Sequence, residues 1–145
     1  MIVMHLTLEA DYAVRIVICL SEAGCRMDAG AISECTGVTL RFALKILRKL
    51  VSSGIVKSFK GTQGGYELVN APDQITLRQV VETVEGTYYL SRCLKPDHLC
   101  ARKRQRGCKV QAVYGEISKM VREKLDSVTF DQLIGPCSQE EKAGA

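Results

Sequence analysis

The stretch that decides the fold runs from Ala29 to Val69 and reads AGAISECTGVTLRFALKILRKLVSSGIVKSFKGTQGGYELV. It contains two short helical patterns, Ala29–Thr36 and Leu40–Ser53, and the turn between them contains Gly37. Thr39 is a good N-cap for the second of these helices. Two helices joined by a short turn with a glycine are typical of a helix-turn-helix. The sequence therefore predicts this motif here.

The second of these helices has two chemically different sides. Its buried side is predicted to consist of Leu40, Ala43, Leu44, Leu47, Leu50 and Val51. Its other side carries Arg41, Phe42, Lys45, Arg48 and Lys49. A basic outer face is what insertion into the major groove of DNA requires. An aromatic on that side, Phe42, is either a stray core residue or a contact for a thymine methyl group or a sugar.

A β-hairpin is predicted directly after this helix. Ile55–Phe59 and Tyr66–Val69 have strand composition, and the tip between them is Lys60-Gly61-Thr62-Gln63-Gly64-Gly65. Glycines let a backbone approach a phosphate or enter a minor groove, and the lysine supplies charge. The alternative is an ordinary glycine-rich hairpin. Its position after a basic helix favours a DNA-binding wing.

The rest of the chain is predicted to be mainly helical. Helices are expected at Leu8–Ala23, from a capping box at Thr76 and Gln79 through Glu85, and from Cys108 to about Ser127, followed by a final turn over 129–134. The third of these has an apolar stripe: Val110, Val113, Tyr114, Ile117, Met120, Val121, Leu125 and Val128. So long a stripe beyond a compact winged helix predicts packing against a second copy.

We therefore predict a mainly α fold with a small β-hairpin wing, a winged helix-turn-helix followed by a long dimerisation helix. Residues 1–86 would form the DNA-binding domain, 87–107 a cysteine loop, 108–134 the dimerisation helix and final turn, and 135–145 a tail.

Composition and charge narrow the function classes. The 145 residues carry a net charge of +4, which is compatible with a nucleic-acid partner. Residues 41–60 hold six basic side chains and no acidic one. The sequence has no nucleophile–base constellation and no phosphate-binding loop, so no enzymatic activity is predicted. With no export signal and no run of membrane-spanning length, we expect a cytoplasmic protein with reduced thiols and no membrane partner.

Three of the seven cysteines, Cys93, Cys100 and Cys108, stand in one short segment rich in Arg and Lys. Three thiolates in one loop can converge on an iron–sulfur cluster, with one position left for a ligand from elsewhere. The pattern differs from the tight spacing of zinc ribbons. The remaining cysteines receive other interpretations: Cys19, Cys25 and Cys35 are predicted small core residues, and Cys137 an exposed tail residue.

The ordered set of motifs resembles the bacterial IscR/NsrR-type winged-helix regulators, over roughly residues 4–134. The matching stretches are His5-Leu6-Thr7, Asp11-Tyr12-Ala13-Val14, Ile32-Ser33-Glu34, Phe59-Lys60-Gly61, Gly64-Gly65-Tyr66, Val80-Val81-Glu82 and Val84-Glu85-Gly86. The resemblance implies a homodimer that binds double-stranded DNA at a palindromic operator, acts as a repressor, and senses cluster status, iron, redox state or nitric oxide.

The same resemblance implies site residues. The cluster ligands would be Cys93, Cys100 and Cys108, and a [2Fe-2S] cluster is favoured over [4Fe-4S]. The DNA-binding residues would be Thr39, Arg41, Phe42, Lys45, Arg48, Lys60, Gly61, Gly64 and Gly65.

The resemblance leaves the identity of the fourth cluster ligand open. The cysteine spacing is wider here than in the iron–sulfur-assembly branch of that family, which also uses a His where this chain has Gln111. The nitric-oxide-sensing branch can use an Asp from the partner's first helix, and Asp11 stands at the matching place. His98, inside the loop, ranks below Asp11.

Two alternatives compete with a cluster sensor. One is a cluster-free regulator of the same fold that responds to a metabolite or a protein partner. The other is a DNA-binding protein with a structural zinc. Visible colour separates a cluster from zinc.

Overall fold

The computed structural model describes residues 6–96 and 108–135. Five helices and one antiparallel hairpin follow in order: α1 (Leu8–Ala23), α2 (Ala29–Thr36), α3 (Leu40–Ser52), β1 (Val56–Phe59), β2 (Gly65–Leu68), α4 (Leu77–Glu85) and α5 (Lys109–Ser127). Short 3-10 turns lie at Pro72–Gln74, Arg92–Leu94 and Phe130–Gln132. The predicted fold class, mainly helical with a small hairpin wing, is confirmed.

The predicted helix boundaries follow from capping residues. The hydroxyl oxygen of Thr7 accepts from the backbone of Ala10 at the start of α1, and Thr39 does the same for Phe42 at the start of α3. Gly37 ends α2 in the left-handed conformation, with φ of 72°. These local signals fix the turn between α2 and α3, so the recognition helix begins where the sequence places it.

One core joins the four helices α1 to α4 with the hairpin. Its fully buried members include Ile16, Ile32, Leu47, Val56 and Val80. The core also takes a side chain from beyond α5, because Phe130 is fully buried among them. Backbone bonds hold it there: Leu77 N–H donates to Val128 O at 2.8 Å, and Phe130 N–H donates to Ile75 O at 3.1 Å. The chain after α5 therefore returns to the winged domain.

The buried side of α3 differs from the predicted one. Leu40 and Leu44 are exposed, at 49% and 37%, whereas Ile46 is fully buried. The inward stripe is Ala43, Ile46, Leu47 and Leu50, at the helical spacing of three and four residues. Leu44 lies one residue after Ala43, about a quarter of a turn away, and so points outward.

Of the three cysteines that were predicted to be core residues, only one is buried. Cys19 is buried on α1, as predicted. Cys25 and Cys35 are exposed, so the core prediction is wrong for both. Cys25 comes directly after Gly24, which ends α1, and α2 buries only Ile32 fully, which leaves Cys35 on its outer side.

Helix α5 is long but polar on much of its surface. Within the residues that the structure describes, none of the helices combines the length and the apolar character that crossing a membrane requires.

Candidate nucleic-acid interface and cysteine loop

The outer face of α3 brings four of the predicted DNA-binding residues together. Arg41, Phe42, Lys45 and Arg48 line one open cavity of about 630 Å³, together with Leu44. Thr39 lies one residue before α3 and caps it, with its hydroxyl 3.4 Å from the backbone nitrogen of Phe42. The helix therefore presents three basic side chains on one surface, Arg41, Lys45 and Arg48.

Apolar side chains interrupt this basic surface. Phe42 is 43% exposed and packs edge-to-face on Tyr12, with ring centroids 6.1 Å apart. Phe42 is thus neither a core residue nor an exposed aromatic without packing contacts. Leu40 and Leu44 stand beside it, and sequence reasoning missed both because their spacing also fits the buried stripe. Apolar side chains on a helix face that enters the major groove suit contacts with thymine methyl groups.

Glu9 of α1 ties down two of the lysines on α3. Its carboxylate accepts from Lys45 Nζ at 2.6 Å and from Lys49 Nζ at 3.0 Å. The hydrogen bond from Lys45, then that from Lys49, holds the pKa of Glu9 below its ordinary value. Sequence reasoning did not find Glu9, since the three residues are far apart in the chain. Lys45 is therefore already paired before any phosphate approaches.

The wing is anchored at its base by the segment that precedes α2. Met27 and Tyr66 exchange backbone hydrogen bonds of 2.9 and 2.7 Å, next to the start of β2. Arg26 stacks on Phe59, with its guanidinium carbon 3.3 Å from the ring centroid, and donates to the carbonyl of Gln63 at 2.9 Å. Arg26 thus holds the hairpin through Phe59 and Gln63, and no local pattern in the sequence predicts this role.

Two of the predicted wing glycines have structural reasons of their own. A Cβ at Gly65 would lie 2.6 Å from the carbonyl oxygen of Met27, and one at Gly64 would lie 2.6 Å from that of Phe59. Lys60 is exposed beside them. Direct contact of Lys60, Gly61, Gly64 and Gly65 with DNA stays a prediction.

The two described loop cysteines lie at the same end of α5. Cys93 is in the turn Arg92–Leu94, and Cys108 directly precedes α5; both are half-buried. Gln111, one turn into α5, donates from Nε2 to the carbonyl of Cys93 at 2.8 Å. This bond holds Cys93 against the helix that Cys108 begins.

Further bonds fix the segment that leads into the loop. Leu90 N–H donates to Ser118 Oγ at 2.9 Å, and Arg122 donates to the carbonyl of Tyr88 at 2.7 Å. Ser118, the acceptor of the first bond, and Arg122, the donor of the second, both belong to α5. The approach to Cys93 is therefore held along about one turn of that helix.

The donor chemistry at this end of α5 suits a thiolate-bound cluster in part. Cys108 is the residue directly before α5, and Cys93 is held beside it by the hydrogen bond from Gln111. Cys100 and His98 lie outside the described residues. Over residues 6–96 and 108–135, no three His, Cys, Asp or Glu side chains are grouped so that they could hold a metal.

Asp11 lies in the first turn of α1, far in sequence from the loop cysteines Cys93 and Cys108. Its Oδ2 atom is 2.9 Å from Arg15 Nη2, and about half of its side chain is exposed. A carboxylate so placed remains accessible to a second molecule, although Arg15 competes for it.

Comparisons with known proteins agree with this geometry. A family model described as Rrf2, iron-dependent transcriptional regulator, matches residues 6–136. The transcriptional regulator IscR of Pectobacterium carotovorum is 25% identical over 133 residues, which cover 90% of this chain and 79% of the relative. Two solved structures are similar in fold at 23% identity. They are IscR of T. potens, with a TM-score of 0.70 over 97% of this chain and 91% of that one, and CymR of B. subtilis, the global cysteine regulator, with 0.69 over 90% and 96%.

Proposed function

The chain belongs to the Rrf2 family of DNA-binding transcriptional regulators, and we propose that it is a homodimer that reports the state of an iron–sulfur cluster to a palindromic operator. The observation that carries the cluster proposal is the placement of Cys93 and Cys108 at one end of α5, joined through Gln111.

The DNA-binding part rests on the outer face of α3. Arg41 and Arg48 would reach base edges or phosphates from the major groove, and Lys60 at the wing would contact the backbone beside it. Two such helices in a dimer would address half-sites about one helical turn apart.

Dimerisation is supported by the unpartnered side of α5. Val113, Ile117 and Met120 are 51%, 39% and 67% exposed, and they share one face of the helix. The opposite face holds the segment before the loop through Ser118 and Arg122. A second copy of the same helix would bury the apolar face and give a two-fold symmetric contact.

The cluster would be held by Cys93, Cys100 and Cys108, with Asp11 of the partner subunit's first helix as the fourth ligand. Such a group supplies a redox-active centre that oxidants or nitric oxide can attack. A carboxylate is a harder and weaker ligand for iron than a thiolate, so the Asp11 position would be the labile one. The fourth position would otherwise be taken by His98 or by a small exogenous ligand.

A chain of contacts connects the loop with the recognition helix. Glu85, which ends α4 just before the loop, accepts from the backbone of Thr7 at 2.5 Å. Thr7 caps α1, and two residues later Glu9 pairs with Lys45 of α3. A change in the position of the first turn of α1 would therefore shift the charges that α3 offers to DNA, which is a physical route from ligation state to affinity.

The cluster is tested by absorption spectra and iron and sulfide analysis of anaerobically purified protein. Ala in place of Cys93, Cys100 or Cys108 should abolish the brown colour, because the three thiolates share one group. Cys25→Ala, at an exposed cysteine elsewhere, should keep it. Iron and sulfide retained in Cys100→Ala, or a colourless zinc protein, would contradict the proposal.

DNA binding is tested by titration of operator DNA at several salt concentrations. Lys60→Ala should weaken binding to all sequences alike and reduce the salt slope by about 1. Arg41→Ala should cost about 1–3 kcal/mol and relax the preference at one base position. Equal losses on all sequences for Arg41→Ala would assign it to the phosphate backbone instead.

A further inference from the structure

A pair of cysteines outside the loop shares one surface cavity. Cys19 lies on α1 and Cys35 on α2, and both line a depression of about 210 Å³ together with Arg15, Ile18, Glu22 and Thr36. Cys19 is only 4% exposed, whereas Cys35 is open to solvent. The pair therefore consists of one inner and one outer thiol.

The two thiols are neighbours on the wall of one cavity. Burial, and then the neighbouring Cys35 thiol, raises the pKa of Cys19 to about 12. The Cys19 thiol also lies 3.7 Å from Met27 Sδ. Cys19 thus keeps its proton under ordinary conditions, and the solvent-facing Cys35 is the member that a reagent can reach first.

The chemistry of this pair differs from that of a metal site. Among the residues that the structure describes, no third His, Cys, Asp or Glu joins the two thiols in a group able to bind a metal. Two neighbouring thiols without further ligands have one common reaction, which is oxidation to a disulfide.

We propose that Cys19 and Cys35 form a hydroperoxide-sensitive dithiol that closes to a disulfide between α1 and α2, independently of the loop cysteines. The Cys35 thiolate attacks a peroxide oxygen, the O–O bond breaks, and a sulfenic acid forms with release of hydroxide, which takes up the proton that the Cys35 thiol had lost and becomes water. The Cys19 sulfur then attacks the Cys35 sulfur, and hydroxide leaves and takes the Cys19 proton. In total the two thiols lose two electrons and two protons, and hydrogen peroxide becomes two molecules of water.

The position of the bond gives it a structural consequence. Cys35 lies two residues before Gly37, in the last turn of α2, where the chain bends toward α3. Cys19 lies in the C-terminal half of α1, whose first turn carries the Glu9 carboxylate bound to α3. A disulfide would therefore join the two helices that support the recognition helix.

The experiment treats the full-length protein with hydrogen peroxide, blocks the remaining thiols with an alkylating reagent, and maps the peptides by mass spectrometry. We expect Cys19 and Cys35 in one crosslinked peptide pair in most chains, and its disappearance after dithiothreitol. Because a crosslink constrains the unfolded chain, the oxidised protein should also unfold at a higher urea concentration than the reduced one.

Matched variants make the result decisive. Cys35→Ser changes an exposed position and should remove the crosslink without loss of folding, whereas Cys25→Ser, at another exposed cysteine, should retain it. Cys19→Ala should leave Cys35 as a sulfenic acid that a 1,3-diketone probe captures. In wild-type chains whose Cys35 has been oxidised, Cys19 should resist alkylation even after unfolding. Alkylation of Cys19 in those chains would overturn the proposal.

Discussion

At the scale of single residues, Gly65 decides whether the wing can sit on the body of the protein. Its φ of 142° is one that other residues rarely adopt, and an added Cβ would come within 2.6 Å of the Met27 carbonyl oxygen. The same carbonyl accepts the backbone hydrogen bond of Tyr66 at 2.7 Å. A side chain at this position would therefore break the attachment of the hairpin.

Gly65→Ala is expected to lower the free energy of unfolding by about 3 kcal/mol, from backbone strain and the clash together. Gly61→Ala, at the tip of the same hairpin, has a positive φ but open space around the Cβ, so we expect a loss of only about 1–2 kcal/mol. Urea unfolding of both variants measures the difference. Equal losses would show that the contact with Met27 does not matter.

At the scale of elements, α1 and α3 are linked by charge as well as by packing. Glu9 is 30% exposed and holds Lys45 and Lys49, whose side chains are 53% and 38% exposed. Partly exposed pairs of this kind contribute about 0.2–1 kcal/mol to stability. Their larger effect concerns DNA, because each lysine bound to Glu9 is less available to a phosphate.

Glu9→Gln should therefore tighten DNA binding several-fold at low salt and steepen the salt dependence by about one phosphate contact. Operator titrations over a range of salt concentrations measure both quantities. Glu123→Gln, the same change on α5, serves as the control and should leave the slope unaltered. The gain should vanish in a Glu9→Gln, Lys45→Ala double variant. A gain of the same size in that double variant would mean that general charge, and not the release of Lys45, is responsible.

At the scale of the whole molecule, α5 connects two surfaces. One side is fixed to the segment before the cysteine loop through Ser118 and Arg122, and the chain then places Phe130 into the common core. The other side leaves Val113 and Met120 about half or more exposed. Any change at the outer side, such as dimer formation, is thus transmitted to the domain through a helix with firm attachments.

Val113→Lys with Met120→Lys should give a monomer in sedimentation equilibrium at micromolar concentration, since charges on the apolar face cannot be buried without a partner. The free energy of unfolding of the monomer itself should change little, because both side chains are already exposed. Binding to a palindromic operator should weaken, and binding to a half-site should not. Glu123→Lys is the polar control. A dimer that persists in the double variant would place the interface elsewhere.

Local features of this protein follow from its sequence alone. The helices α1 and α2 begin and end where the predicted patterns do, because caps such as Thr7 and Gly37 act within a few residues. The basic outer face of α3 could be predicted for the same reason, since helical spacing alone sets Arg41, Lys45 and Arg48 on one side. The outward direction of Leu44 could not be predicted, because the spacing of the leucines allowed two stripes.

Only the tertiary structure decided which distant residues meet. Glu9 and Lys45 are 36 residues apart, and Arg26 reaches the wing at Gln63, 37 residues away. The neighbouring thiols of Cys19 and Cys35, and the insertion of Phe130 into the core of the winged domain, likewise depend on how helices pack. Periodicity and capping describe one element at a time, whereas these contacts arise from the burial of several elements against one another, which no single stretch of sequence encodes.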